Sequence, residues 1–127
     1  MTIKMEQIFP NSIVDLPEAD IPMEGISAYL SQCENHLIVF MEFQKEIDLP
    51  EHFHKSQWTV VFEGEIDMII DGVMHRYVKG DRFFIGKGVK HSGRIYPGYA
   101  DMTFLTNKTD KRRKINNFRT LDSCPLT

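Results

Sequence analysis

Short runs of strand-forming residues, each bounded by glycine, proline, aspartate or asparagine, recur from residue 25 onward. That rhythm predicts an all-β sandwich or barrel. Glu63-Gly64 and Asp71-Gly72 separate neighbouring runs, and glycine supplies the positive φ that tight hairpin turns require. We therefore expect a meander of antiparallel strands. The predicted strands are 26–30, 37–43, 57–62, 65–70, 74–78, 82–85, 92–96 and 101–105.

The chain of 127 residues fits a single domain with three parts. Residues 1–24 are rich in prolines and acids and are expected to form an extended N-terminal arm. The only candidate helix, around residues 13–20, is short and contains Pro17. Residues 25–107 hold the predicted strands and form the barrel. Residues 108–127 form a basic C-terminal tail.

The charge distribution argues against a polyanionic partner. Residues 1–107 carry 9 lysines and arginines against 16 acids, so the body of the protein is acidic. The basic tail has no interleaved aromatic side chains apart from Phe118, and a terminal run of cations is usually solvated. We therefore expect no nucleic-acid partner.

Nothing in the sequence predicts contact with a membrane. The longest apolar run, residues 37–41, is far shorter than the roughly 20 residues of a membrane span. The N-terminus lacks the apolar core of a secretory signal, so we expect a cytoplasmic protein. Cys33 and Cys124 lie far apart and form no CxxC pair, and free thiols are the expectation.

Three of the five histidines fall in two short segments. His52 and His54 precede the strand that begins at Gln57, and His91 follows a glycine-containing turn. In an extended chain, alternation places His52 and His54 on one face with backbones roughly 6.6 Å apart, so that their rings can converge on one ion. A small irregularity would bring the Gln57 amide oxygen to the same face. A pair of solvent-facing histidines is the alternative.

These residues and the neighbouring glycines form two motifs. The first reads His52-x-His54, two residues, Gln57, six residues, Gly64. The second reads Gly80, five residues, Gly86, Lys87, Gly88, two residues, His91, three residues, Ile95. In order and spacing the two motifs resemble those of the cupin superfamily of small metal-binding β-barrels. The resemblance implies an all-β, cupin-type double-stranded β-helix, or jelly-roll barrel, of the small RmlC-like kind.

The resemblance also implies that one divalent metal is bound by His52, His54, Gln57 and His91. Gln57 stands where most cupins have glutamate, so these four ligands would leave the charge of the ion uncancelled. Such a site favours an anionic ligand that coordinates directly. Imidazole-rich ligation suits a transition metal, namely zinc, iron, nickel, manganese or copper, over calcium or magnesium.

The expected function is that of a metal-dependent enzyme acting on a small anionic or carbonyl-containing molecule inside the barrel. The resemblance allows dioxygenase, isomerase, lyase or cyclase chemistry, and no general base is identifiable. A non-catalytic module that binds or senses a small ligand is the alternative. Alternation from the ligands predicts a mostly apolar pocket lined by Met41, Phe43, Thr59, Val61, Ile95, Met102 and Phe104.

Apolar side chains that alternate away from this pocket predict a homodimer. Trp58, Val60 and Phe62 would form an apolar stripe on the outside of the sheet, and small cupins commonly dimerise through such faces. The arm would cover another part of the barrel with the apolar residues Ile3, Ile8, Phe9, Ile13, Val14 and Leu16.

Overall fold

The computed structural model describes residues 7–52 and 55–106. These residues form one short helix, α1 (Asn11–Val14), and nine strands. The strands are β1 (Ile26–Gln32), β2 (His36–Phe43), β3 (Ile47–His52), β4 (Gln57–Glu63), β5 (Glu65–Ile70), β6 (Val73–Val78), β7 (Arg82–Ile85), β8 (His91–Ile95) and β9 (Ala100–Thr106).

The strands form two antiparallel sheets. The five-stranded sheet has the order β1-β2-β9-β4-β7, and the four-stranded sheet has the order β3-β8-β5-β6. Buried apolar side chains from both sheets pack into one core, formed by Phe43, Val61, Ile66, Met68, Phe83, Ile85, Ile95 and Tyr99. This arrangement confirms the predicted all-β jelly-roll barrel.

The two Gly-containing turns differ in their roles. Asp71 and Gly72 both have positive φ, 52° and 82°, and form the two-residue turn of the predicted hairpin between β5 and β6. Glu63-Gly64 instead carries the chain from the five-stranded to the four-stranded sheet, so the expected simple meander is wrong. A Cβ at Gly64 would lie 2.7 Å from the Tyr99 Cα, and this crossing therefore requires glycine.

Strand β3 was not predicted from the sequence. It contains Pro50, which has no N–H to donate to a neighbouring strand. The structure accommodates this proline because β3 lies at the edge of the four-stranded sheet. The helix is also shorter than the expected segment 13–20, since α1 ends before Pro17.

The N-terminal arm packs on the outer face of the five-stranded sheet. Phe9 is 3% exposed and makes edge-to-face contacts with Tyr29, Phe40 and Phe62, at ring-centroid distances of 5.6–6.2 Å. The arm's Ile13, Val14 and Leu16 pack against the same cluster. Ile3 lies outside the described residues.

Two observations concern the cysteines and the C-terminal tail. Cys33 is disulfide-bonded, so the expectation of a free thiol is wrong at this position. The other cysteine of the chain, Cys124, and the basic tail at 108–127 lie outside the described residues.

Within 7–52 and 55–106, no helix is long and apolar enough to cross a membrane.

Candidate metal centre

A cavity of about 350 Å³ lies between the two sheets, with walls that are mostly apolar. Three of the residues expected from alternation line it, namely Met41, Phe43 and Ile95. Thr59 and Val61 are also buried, at 0% and 1% exposed, but they are not among the residues that line the cavity. An apolar ligand body would therefore be shielded from water in this cavity.

The expected lining by Met102 and Phe104 is wrong. In the five-stranded sheet Met102 pairs with Val60 and Phe104 pairs with Trp58, which is 40% exposed. Side chains directly opposite each other on paired strands share a face, so Met102 and Phe104 belong to the outer face. The lining residues that β9 contributes are Asp101, Thr103 and Leu105.

Three of the four residues in the expected metal site line the cavity, and two of them lie side by side. His52 ends β3 and His91 begins β8, and the two residues are partners in the register of these strands. Their ring centroids are 4.2 Å apart, and the ring planes meet at 60°. Both residues line the cavity, and His91 is only 3% exposed.

Each of the two imidazoles has one nitrogen held by a backbone carbonyl. The Nδ1 of His52 lies 2.7 Å from the Pro50 oxygen, and the Nδ1 of His91 lies 3.0 Å from the Val89 oxygen. Because a carbonyl oxygen only accepts, these contacts assign the proton to Nδ1 in both rings. The lone pair is then at Nε2, as in many metal-binding histidines whose other nitrogen is held by a backbone carbonyl.

Gln57, at the start of β4, lines the same cavity. Its amide Nε2 donates to the Thr59 hydroxyl at 3.0 Å, and the Thr59 and Thr103 hydroxyls are 2.8 Å apart. These contacts orient the amide and assign Oε1 as its remaining acceptor. A neutral amide oxygen is an acceptable ligand beside imidazoles.

The donor set of two imidazoles and one amide fits a divalent transition metal, with His54 as the expected fourth ligand. His54 lies outside the described residues. Among the residues that are described, no three histidines, cysteines or acids cluster in a way that could hold a metal. The complete set of His52, His54, Gln57 and His91 therefore stays a prediction.

Asp101 is an ionisable residue of the cavity that the sequence patterns did not single out. It lies on β9, is 7% exposed and lines the cavity. Burial raises the pKa of its carboxyl to about 7, against the lowering effect of the Tyr99 and Thr103 hydroxyls. The sequence does contain a pattern that could have indicated this residue. Asp101 and Thr103 are two residues apart, which places both side chains on one face of an otherwise largely apolar strand.

Several solved structures share this fold. An RmlC-like cupin from Shewanella frigidimarina matches with a TM-score of 0.66 and 24% identity, over 76% of this chain and 88% of that one. KdgF from Halomonas sp. matches with a TM-score of 0.65 and 18% identity, over 84% and 97%. An oxalate decarboxylase variant from Bacillus subtilis matches with a TM-score of 0.62 and 18% identity, over 74% of this chain and 28% of that one.

The sequence matches no protein-family profile. It also matches no curated protein. The fold and the cavity between its sheets define a β-barrel of the jelly-roll class. Within that class the chain has the fold of a small RmlC-like cupin, as the two histidine motifs predicted.

Proposed function

We propose that this protein is a metal-dependent cupin enzyme that binds a small anionic or carbonyl-containing molecule inside the barrel. One divalent transition metal would be held by His52, His54, Gln57 and His91. The observation that carries the proposal is the His52–His91 pair at the cavity wall, in which both Nδ1 atoms are engaged by carbonyl oxygens.

The charge and size of the site support this class of ligand. The four proposed metal ligands are neutral, so the ion would retain its formal charge of about +2 and attract an anionic or carbonyl oxygen. When bound, such an ion supplies Lewis acidity that polarises that oxygen. The apolar walls would hold the rest of a small molecule and exclude water from it.

The fold alone is compatible with several chemistries. Its structural neighbours include an oxalate decarboxylase and a salicylate 1,2-dioxygenase, both larger than this chain. The alternative function is a non-catalytic module that binds or senses the same kind of ligand. A buried carboxyl at the cavity, Asp101, favours the enzyme, because binding alone does not require a group that titrates near neutral pH.

Elemental analysis of the purified protein tests the metal site. We expect about one divalent transition metal per chain in the wild type and loss of that metal in the His52→Ala/His91→Ala double variant. The matched control is His36→Ala/His75→Ala, which removes two histidines that do not line the cavity. Equal metal content in the first double variant and the wild type would overturn the proposed site.

We also propose a homodimer that forms through the outer face of the five-stranded sheet. Three neighbouring strands place Phe84, Trp58 and Phe104 side by side on that face, which we call the aromatic row. Phe84 is 62% and Trp58 40% exposed. Phe62, which was expected in the interface, packs against Phe9 of the arm instead. The aromatic row is the part of this face from which a second copy would exclude water.

A further inference from the structure

Asp101 occupies an apolar position of the barrel. Its register partners on the two neighbouring strands are Met41 on β2 and Val61 on β4, and neither side chain carries a charge. The titratable groups that share its surroundings are the cavity histidines His52 and His91 and the adjacent Tyr99 hydroxyl. No lysine or arginine is among the described residues that line the cavity with it.

The two carboxyl oxygens of Asp101 differ in their hydrogen bonding. Oδ2 accepts a hydrogen bond from the Tyr99 hydroxyl, and Tyr99 is 0% exposed. Oδ1 is the one buried side-chain polar atom without a hydrogen-bond partner in residues 7–52 and 55–106. Leaving such an atom unsatisfied costs about 1–3 kcal/mol, so a purely structural carboxyl would be expected to engage both oxygens. Oδ1 is therefore the carboxyl oxygen whose hydrogen-bonding capacity the described residues leave unused.

The protonation state of Asp101 suits proton exchange at neutral pH. Burial raises its pKa to about 7, so both the acid and the carboxylate are populated there. Tyr99 cannot take over this role, because burial and the neighbouring carboxyl raise the pKa of its hydroxyl and keep it a donor. A group whose pKa lies near the working pH is the most effective general acid–base catalyst.

We propose that Asp101 is a catalytic residue that carries a proton between two positions of a carbonyl-containing substrate held in the cavity. This inference rests on the proposed function and narrows it to redox-neutral rearrangement, such as isomerisation. The Asp101 carboxylate takes a proton from the carbon next to the carbonyl. That C–H electron pair becomes the C=C bond of the enolate, and the π pair of the C=O bond moves onto the oxygen. The proton held at Asp101 then goes to the enolate oxygen, which gives an enol, or to the far carbon of a conjugated enolate, whose oxygen electron pair re-forms the C=O bond. No atom is lost, and no oxidant or reductant is consumed.

Proton abstraction is measured directly by deuterium incorporation. Pyruvate, 2-oxobutyrate and acetylacetone are incubated in D₂O with the protein as purified, and loss of their α-proton signals is followed by ¹H NMR. We expect the wild type to accelerate exchange of at least one probe above the buffer rate. Because general acid–base catalysis contributes about 10²–10⁴-fold, Asp101→Asn is expected to lose at least about tenfold of that acceleration.

The matched control is Asp48→Asn, which removes a carboxylate whose side chain is 72% exposed and lies outside the cavity. This variant is expected to exchange the probes at the wild-type rate. Equal rates in Asp101→Asn and the wild type, or no exchange by the wild type with any of the three probes, would overturn the role of Asp101. Metal content is measured in the same samples, so failure of the metal site is recognised separately.

A second variant distinguishes catalysis from a structural role. Tyr99→Phe removes the hydrogen bond that lowers the pKa of Asp101, so that pKa should rise. The pH profile of the exchange rate is then expected to shift to higher pH relative to the wild type. An unchanged profile in folded Tyr99→Phe protein would contradict the assignment, since a carboxyl with only a structural role would not set the profile.

Discussion

Replacing Asp101 by asparagine should change how the stability of the protein depends on pH. The folded protein holds the Asp101 proton with a pKa of about 7, against an ordinary aspartate value of 3.8 in the unfolded chain. Between pH 3.8 and pH 7 the folded state binds more protons at this carboxyl than the unfolded state does. The proton therefore stabilises the fold fully below about pH 4, and this stabilisation is lost as the pH rises through about 7. Asparagine cannot titrate and lacks this dependence.

The magnitude follows from the two pKa values. Each pKa unit corresponds to about 1.4 kcal/mol, so the complete effect amounts to about 4 kcal/mol, of which about 3 kcal/mol falls between pH 5 and pH 8. The free energy of unfolding of Asp101→Asn relative to the wild type should therefore rise by about 3 kcal/mol over this range. All other titrating groups are shared by the two proteins and cancel in the difference.

Urea denaturation at about pH 5 and about pH 8, with a chelator present so that no metal charge contributes, measures this difference. Asp67→Asn is the matched control. A hydrogen bond from Arg76 and another from Tyr96 lower the pKa of Asp67 to about 2, so this carboxyl is ionised at both values of pH and its replacement should give a constant difference. If the free energy of unfolding of Asp101→Asn relative to the wild type is equally constant between the two values of pH, the raised pKa of Asp101 is refuted.

Three further predictions concern the metal, the interface and the crossing between the sheets. Gln57→Glu adds a negative charge at the proposed ion, so calorimetric titration should show metal binding at least about tenfold tighter and anion binding weaker; unchanged metal affinity would place Gln57 outside the coordination sphere. Trp58→Glu should convert the dimer to a monomer in light scattering at micromolar concentration, and a monomeric wild type would exclude this interface. Gly64→Ala should destabilise the fold by more than about 2 kcal/mol, because its Cβ would meet the Tyr99 backbone, whereas Gly72→Ala, with open space around it, should cost about 1 kcal/mol; equal losses would contradict the crowding at Gly64.

The strands with a continuous run of strand-forming residues were predictable from the sequence. Residues 65–70 and 82–85 were predicted with the bounds that β5 and β7 have in the structure. Strand β3 was missed because Pro50 and its acidic neighbours lower local strand propensity, and only the position at a sheet edge makes the proline tolerable. A sheet edge is a tertiary property that a single sequence does not display.

The face assignment of β9 failed for a related reason. Met102 and Phe104 were placed inside by alternation from the ligands, but β9 carries none of those ligands, so only its register against β4 decides which face points inward. The cavity wall at this strand is instead formed by Asp101, Thr103 and Leu105, while Met102 and Phe104 lie on the outer face. Polar interior positions are expected where a barrel encloses a ligand rather than a solid core.

The measurement that tests the proposed site most directly is the anomalous diffraction of crystals of the metal-bound protein. We predict one peak in the cavity, about 2.0–2.1 Å from Nε2 of both His52 and His91 if the ion is zinc, with Gln57 and His54 completing the ligands. The hydrogen bonds of both Nδ1 atoms to backbone carbonyls should persist. A peak away from these two rings, or an ion bound through either Nδ1, would contradict the site.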